Sequence, residues 1–289
     1  MKQQFFQLAS IAAIAPGILF GCAQTEPTTQ TTDTETTAAA DTAEGETGTL
    51  EIVANGEDFV RQGFVSKDGW QISFDNVYVN LADLAAYQSD PAYDAQKGGK
   101  IDAKQTASIE GIQTVDLAAG DENAEPIQVA EIGAPTGQYN AFAWKVVPTP
   151  DTETEGAAML MRGTATKDGE TVDFAIQIDR ELAFKCGEYV GDERKGIVQA
   201  DSTGEVEATF HFDHLFGDGD APADDGINTG ALGFEPFAQM AQDGRVEADG
   251  EALPQNLSDD EYAKYEKILA NLGHVGEGHC HAAMVNESM

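Results

Sequence analysis

The chain has 289 residues, with 51 Asp and Glu against 16 Lys and Arg, and a formal net charge of −35. A phosphate backbone is held by a basic surface, so this balance excludes nucleic acid as a partner. It keeps the protein soluble, repels anionic membrane surfaces and concentrates cations, and it equally suits salty surroundings.

Residues 1–22 read as an export signal. Met1-Lys2-Gln3-Gln4 leads into an apolar stretch from Phe5 to Phe20, too short to span a membrane comfortably and of signal-peptide length. It ends Leu19-Phe20-Gly21-Cys22, which resembles a bacterial lipoprotein signal with Cys22 as the lipidated residue, although Phe20 is bulkier than that motif usually carries. Cleaved there or kept as an anchor helix, the signal implies an exported, membrane-attached protein on a periplasmic or cell-surface face. Residues 23–48 are Thr, Ala, Glu and Gln with almost nothing to bury, the composition of a disordered spacer.

Residues 49–216 alternate with a period of two and predict a two-sheet antiparallel β-sandwich. Trp70-Gln71-Ile72-Ser73-Phe74 alternates, then the phase slips at Asp75-Asn76, which suggests a β-bulge. Leu81 to Tyr87 reads as a short helix or turn, and residues 89–107 as an exposed loop. Phe142, Trp144 and Val146 share a strand face. Lys167-Asp168-Gly169-Glu170, between alternating segments, is a strong hairpin signal. Val206, Ala208, Phe210 and Phe212 form another inward face. Met159 and Met161 share a face and read as core rather than as soft copper ligands.

Residues 217–289 change character to an acidic loop, short helices and a tail packed on the sandwich. Phe234 to Ala241 suits a short helix, with Pro236 in its first turn. Ser258 and Glu261 have the spacing of a capping box, with Leu257 and Tyr262 placed for a hydrophobic staple. Tyr262, Tyr265, Ile268, Leu269 and Leu272 supply that helix's apolar stripe, and Gly273 suits a left-handed stop.

The 5 histidines all fall in the last third of the chain. His211 and His214 flank Phe212-Asp213. His279-Cys280-His281 forms a second cluster, with His274 five residues before it. Neutral imidazole and thiolate are the usual ligands of zinc and related ions. On a strand, His211 and Asp213 would point away from the core, with His214 joining them if the chain bends near Gly217-Asp218-Gly219. A flexible tail carrying His279 and His281 could close over them. His211, His214, His274, His279 and His281 are therefore the candidate metal ligands, with Asp213 and Cys280 secondary. Zinc is the leading ion, then copper or nickel. Cys186 and Cys280 form either a disulfide, as exported proteins allow, or leave Cys280 as a thiolate ligand.

The run from Asp218 to Gly226 offers Asp218, Asp220, Asp224 and Asp225 as calcium ligands, though Pro222 and Thr229 occupy positions where an EF-hand has ligands. It reads alternatively as a solvated loop or as support for the histidines. No metalloprotease, serine-hydrolase or phosphate-loop motif is present, which favours binding over catalysis, with a zinc hydrolase of scattered ligands as the enzymatic alternative.

The segments Trp70 to Leu81 and Pro135 to Trp144 and the hairpin from Gly163 to Ile178 resemble uncharacterised bacterial exported β-sandwich lipoproteins. Over about half of the mature domain they are also loosely similar to the periplasmic copper-binding partner proteins associated with methanobactin uptake. The resemblance rests on strand-turn patterns such as Gly137-Gln138-Tyr139. It implies a sandwich and a role in metal handling, but transfers no ligand position, because this chain has few cysteines and its own His-Cys-His tail. The expectation is a lipid-anchored protein that captures, buffers or delivers a divalent transition metal, with a membrane metal transporter as possible recipient. The alternative is a calcium-binding structural or adhesive module.

Overall fold

The computed structural model describes residues 45–150, 153–187, 196–276 and 278–284. The expected signal peptide, lipidation at Cys22 and all but the end of the spacer lie outside the described residues. The first half runs β1 (Thr47–Asn55), α1 (Glu57–Gln62), β2 (Phe64–Val65), β3 (Gln71–Ser89), β4 (Ala103–Asp116), β5 (Ile127–Pro135), β6 (Gly137–Gln138) and β7 (Ala141–Val146). There follow β8 (Met159–Lys167), β9 (Glu170–Ile178), β10 (Leu182–Gly187), β11 (Ile197–Val198) and β12 (Thr203–Phe210). The last part holds α2 (Asp213–Phe216), α3 (Gly226–Gly230), α4 (Glu235–Ala238), β13 (Arg245–Ala248), α5 (Leu253–Asn256), α6 (Asp259–Leu269), β14 (Gly273–Val275) and β15 (Gly278–Met284).

The protein is mainly β, in keeping with the expected class. Its main sheet runs β13-β9-β8-β3-β7-β10-β15-β14-β12-β1-β5, with β2 and β4 also on β3 and a separate β6–β11 pair. The pairing is mixed, not purely antiparallel as expected, because β1 lies parallel to β12 and β13 parallel to β9. Those parallel partners are far apart in sequence, and alternation along one strand carries no information about its partner's direction. One apolar core joins the two ends of this path. It includes Leu50 and Ile52 of β1, Val206 and Phe210 of β12, and Phe142, Trp144 and Val146 of β7, all essentially unexposed.

Local signals produce local structure. Asp168 and Gly169 both take positive φ between Lys167 and its partner Glu170, the geometry of a two-residue hairpin turn. The β3–β8 register shifts between Phe74 and Asn76, where the phase slips in sequence. Ser258 caps α6: its side chain accepts from the Glu261 N–H while the Glu261 carboxylate accepts from the Ser258 N–H. Pro236 lies in the first turn of α4.

Three expectations are corrected. Leu81 to Tyr87 is neither helix nor turn but the second half of β3, which pairs on both edges with β4 and β7. Leu81, Ala82, Leu84, Ala85 and Ala86 are all buried, so the alternation that marks a half-exposed strand is lost there. The loop expected over 89–107 is shorter, since β4 begins at Ala103, and it buries Tyr93 and Ile101. Gly273 does not stop α6 in a left-handed turn; α6 ends at Leu269 and Gly273 opens β14. Its missing side chain makes room for the Phe184 ring, 2.6 Å from where a Cβ would stand.

The tail is not a loose extension. Its His-Cys-His run lies in β15, paired with β10 on one side and β14 on the other, and a Cys186–Cys280 disulfide ties it to β10. The bond closes a loop of 94 residues. Replacing both cysteines by Ala is expected to lower stability by about 2–4 kcal/mol, read as a reduced urea midpoint. An unchanged midpoint would show that the strand pairing alone holds the tail.

Candidate metal centre

The site is built where β12 runs out. β12 and β14 pair antiparallel, with Thr209 opposite His274 and Phe210 opposite Gly273. The His211 N–H donates to the Leu272 carbonyl at 3.0 Å and carries the ladder one step further. His211 and His274 are then diagonal neighbours across the pair, within reach of large side chains. Their ring centroids are 4.3 Å apart.

At Phe212 the backbone turns helical and α2 begins. Phe212, Leu215 and Phe216 are fully buried, whereas Asp213 and His214 are half-buried. The sequence placed a bend near Gly217; it comes five residues earlier, because burying Phe212, Leu215 and Phe216 together calls for the i, i+3, i+4 spacing of a helix. The turn brings the His214 ring to 5.4 Å from His211 and 5.1 Å from His274. Three imidazoles around a tetrahedral ion, with metal–nitrogen bonds of about 2.0–2.1 Å, have centroids about 5 Å apart. Among the described residues the ligand atoms of His211, Asp213 and His214 lie within 4.8 Å of one another; His274 adjoins this group through its ring contacts but is not part of it.

The outer contacts of the rings assign their protons. The Asn271 main-chain carbonyl lies 2.7 Å from His214 Nδ1 and 3.1 Å from His274 Nε2. A carbonyl can only accept, so both nitrogens carry hydrogen, and in the neutral rings His214 Nε2 and His274 Nδ1 hold lone pairs. His211 Nδ1 is 3.2 Å from a Glu57 carboxylate oxygen, which likewise places its hydrogen there. His211 Nε2 is buried and has no hydrogen-bond partner, and the same is true of Asp213 Oδ1. Metal-binding imidazoles usually donate their second N–H to a carbonyl or carboxylate, which fixes tautomer and ring orientation. All three rings meet that condition. The carbonyl end of α6 adds partial negative charge beside them, which favours a cation.

Glu57 and Asn271 were not found from sequence. Asn271 acts through its backbone, which carries no residue identity, and Glu57 is distant in sequence from His211. Glu57 does carry a mark in the structure: its φ is 59° at the start of α1, and its N–H is held by Asn55 Oδ1 at 2.9 Å. A non-glycine residue there costs on the order of 1 kcal/mol and persists only where its surroundings enforce it.

Cys280 and His281 do not gather here. Cys280 is corrected as a ligand, since its sulfur is bonded to Cys186. His281 pairs with Lys185 across β15 and β10, and its exposed ring sits against Gly98. The backbone of His279 lies opposite His274 in the β14–β15 register; its side chain lies outside the described residues. Met159 and Met161 are fully buried core.

The acidic run is organised by an amide. Asn228 Nδ2 donates to the Asp218, Ala221 and Pro222 carbonyls, and its Oδ1 accepts from the Asp218 N–H. The Asp218 carboxylate accepts from the Asp220 N–H and the Asp225 carboxylate caps α3. Three carbonyls of the run and one oxygen each of Asp218 and Asp225 thus accept hydrogen bonds within it, and Asp218, Asp220, Asp224 and Asp225 form no ligand group among the described residues.

His214 also forms part of the wall of a cleft of about 530 Å³ between α3 and α6, lined by Ile227, Thr229, Lys264, Lys267 and Ile268 among others. On the other side, Glu57 lines a second cleft of about 690 Å³ with Asp58, Asp218 and Asp220. Comparison with known protein families, curated proteins and solved structures finds no match.

Glu57→Ala is expected to weaken zinc binding about 10- to 100-fold, because His211 loses the group that orients it. Glu57→Gln, whose amide oxygen still accepts from Nδ1, should lose less. Equal zinc affinity in all three proteins, measured by titration, would remove Glu57 from the site.

Proposed function

We propose that this protein binds a divalent transition metal, zinc in the first place and copper or nickel next, through His211, His214 and Asp213, with His274 completing the set. The observation that carries this reading is the arrangement of three converging imidazoles whose second nitrogens are held by Asn271 and Glu57. Nitrogen ligands with one carboxylate suit zinc, and the mixed set also accommodates copper or nickel. The acidic cleft beside Glu57 raises the local concentration of cations near the buried imidazoles.

The biological role that fits is capture, buffering or delivery of the ion outside the cytoplasmic membrane, on a β-sandwich scaffold carried by a lipid anchor at Cys22, with a membrane transporter as possible recipient. That His214 also lines the cleft between α3 and α6 supports a second reading, a metal-dependent hydrolase. The residues lining that cleft include no carboxylate to serve as general base, which favours binding. Turnover lost to a chelator and restored by zinc would reverse that preference.

Protons compete with metal for imidazole nitrogens, so binding is expected to be strong at about pH 7.5 and to fall steeply by about pH 5. His211→Ala and His214→Ala should each reduce zinc affinity at least about 100-fold at the higher pH. Calorimetric titration at both pH values is the test. Affinity that is equal at the two, or that survives both substitutions, would exclude imidazole ligation.

A further inference from the structure

The cleft between α3 and α6 is chemically unlike the rest of the molecule. Acidic side chains outnumber basic ones 51 to 16 in the chain, yet the residues lining this cleft include Lys264 and Lys267 and no Asp or Glu. Its volume of about 530 Å³ is that of a small-molecule site. Ile227 on α3 and Ile268 on α6 give it apolar walls. Gly226 and Gly230 also line it, and a Cβ at either would meet nothing within 4 Å. Neither has a positive φ, so the backbone does not require glycine there and the missing side chains leave open space. Lys264 and Lys267 stand three residues apart on α6 and share a face of it. Lys264 Nζ donates to the Thr229 and Ala231 carbonyls at 3.2 and 3.4 Å, and an ammonium has a third N–H to give. Lys67 Nζ donates to the same Ala231 carbonyl. Burial and then the nearby Lys264 charge push the Lys67 ammonium below its ordinary range, with Asp68 opposing. Two like charges thus meet on one carbonyl, and Lys267 adds another on the Lys264 face.

We infer that this cleft is a binding site, separate from the metal centre, for a small carboxylate with an apolar body. Lys264 and Lys267 hold the carboxylate, Ile227 and Ile268 pack against the carbon skeleton, and Gly226 and Gly230 leave it room. The inference goes beyond the metal-binding reading and does not rest on it. His214 is common to both sites, but its Nδ1 hydrogen is committed to the Asn271 carbonyl, so the neutral ring has no further donor for an anion and serves here as wall. The charge of the chain as a whole favours cationic ligands; the two lysines reverse that preference locally, so the sign of the ligand's charge is the decisive observable.

Phenylbutyrate is the probe, titrated calorimetrically into the full chain after a chelating resin has removed metal. Phenylbutyramide and phenylbutylamine keep the same body with the charge removed or reversed. The carboxylate is expected to bind at least about tenfold more tightly than either. Lys267→Gln, at an exposed position, should weaken it about two- to fivefold, and Lys264→Gln by a similar factor. Gly230→Leu should weaken it about tenfold by filling the cleft while both lysines remain. An unchanged urea midpoint in each variant shows that the fold is intact. No detectable binding of the carboxylate, binding as tight for the amine, or affinity indifferent to both lysines or to Gly230→Leu would overturn the inference and show that the lysines merely offset the carbonyl ends of α3 and α6. Because metal is absent throughout, failure of zinc to bind at His211 would leave this result standing, and failure here would leave the metal reading standing.

Discussion

The passage from β12 into α2 depends on where two phenylalanines go. Phe212 packs on Phe74 at 6.1 Å, and Phe216 on Phe64, Phe74, Phe234 and Phe237 at 5.9–6.3 Å between centroids. Burying one such ring is worth about 1.5–3 kcal/mol, enough to decide a short turn of otherwise indifferent backbone. With Leu215 buried between them, all three reach the core only if the chain becomes helical after Phe210, since a strand would turn Leu215 to the opposite face. That choice turns Asp213 and His214 towards His211 rather than spreading them along a strand.

The rest of the site is imported from elsewhere in the chain. His274 stands on β14, a strand of three residues that would not hold by itself. It is kept in place by β12 on one edge and by β15 on the other, and β15 is in turn bonded to β10 through the cysteines. The fold therefore places a covalent tie one strand away from an imidazole. Glu57 arrives from the β1–α1 junction with a strained backbone, and Asn271 from the end of α6. Each supplies an acceptor that fixes which nitrogen of a neighbouring ring carries the hydrogen.

Electrostatics divides the surroundings of this centre. On the Glu57 side the walls are acidic; on the His214 side they carry lysines and no carboxylate. Asn228 shapes the acidic loop between them, its amide donating to three of the loop's main-chain carbonyls.

What could be read from the sequence was local. The Asp168-Gly169 turn, the slip at Asp75-Asn76, the capping box of Ser258 and Glu261, and the apolar faces of Phe142-Trp144-Val146 and Val206-Ala208-Phe210 depend on neighbours a few residues away, and spacing alone reports them. The grouping of His211, Asp213 and His214 was visible for the same reason. Where both faces of a strand are buried, as from Leu81 to Ala86, the alternating signal vanishes and the reading failed. Gly273 showed that a glycine's purpose is ambiguous until the ring that fills its space, here Phe184, is known. Assigning His281 and Cys280 to the metal failed because adjacency in sequence says nothing about the facing strand. Composition and short-range pattern thus determined the β class, the turns, the caps and the chemistry available. Only tertiary structure decided strand direction, the disulfide, and which imidazoles meet Glu57 and Asn271, because those depend on contacts between residues remote in the chain, whose cost in chain entropy is recovered only when the whole core forms.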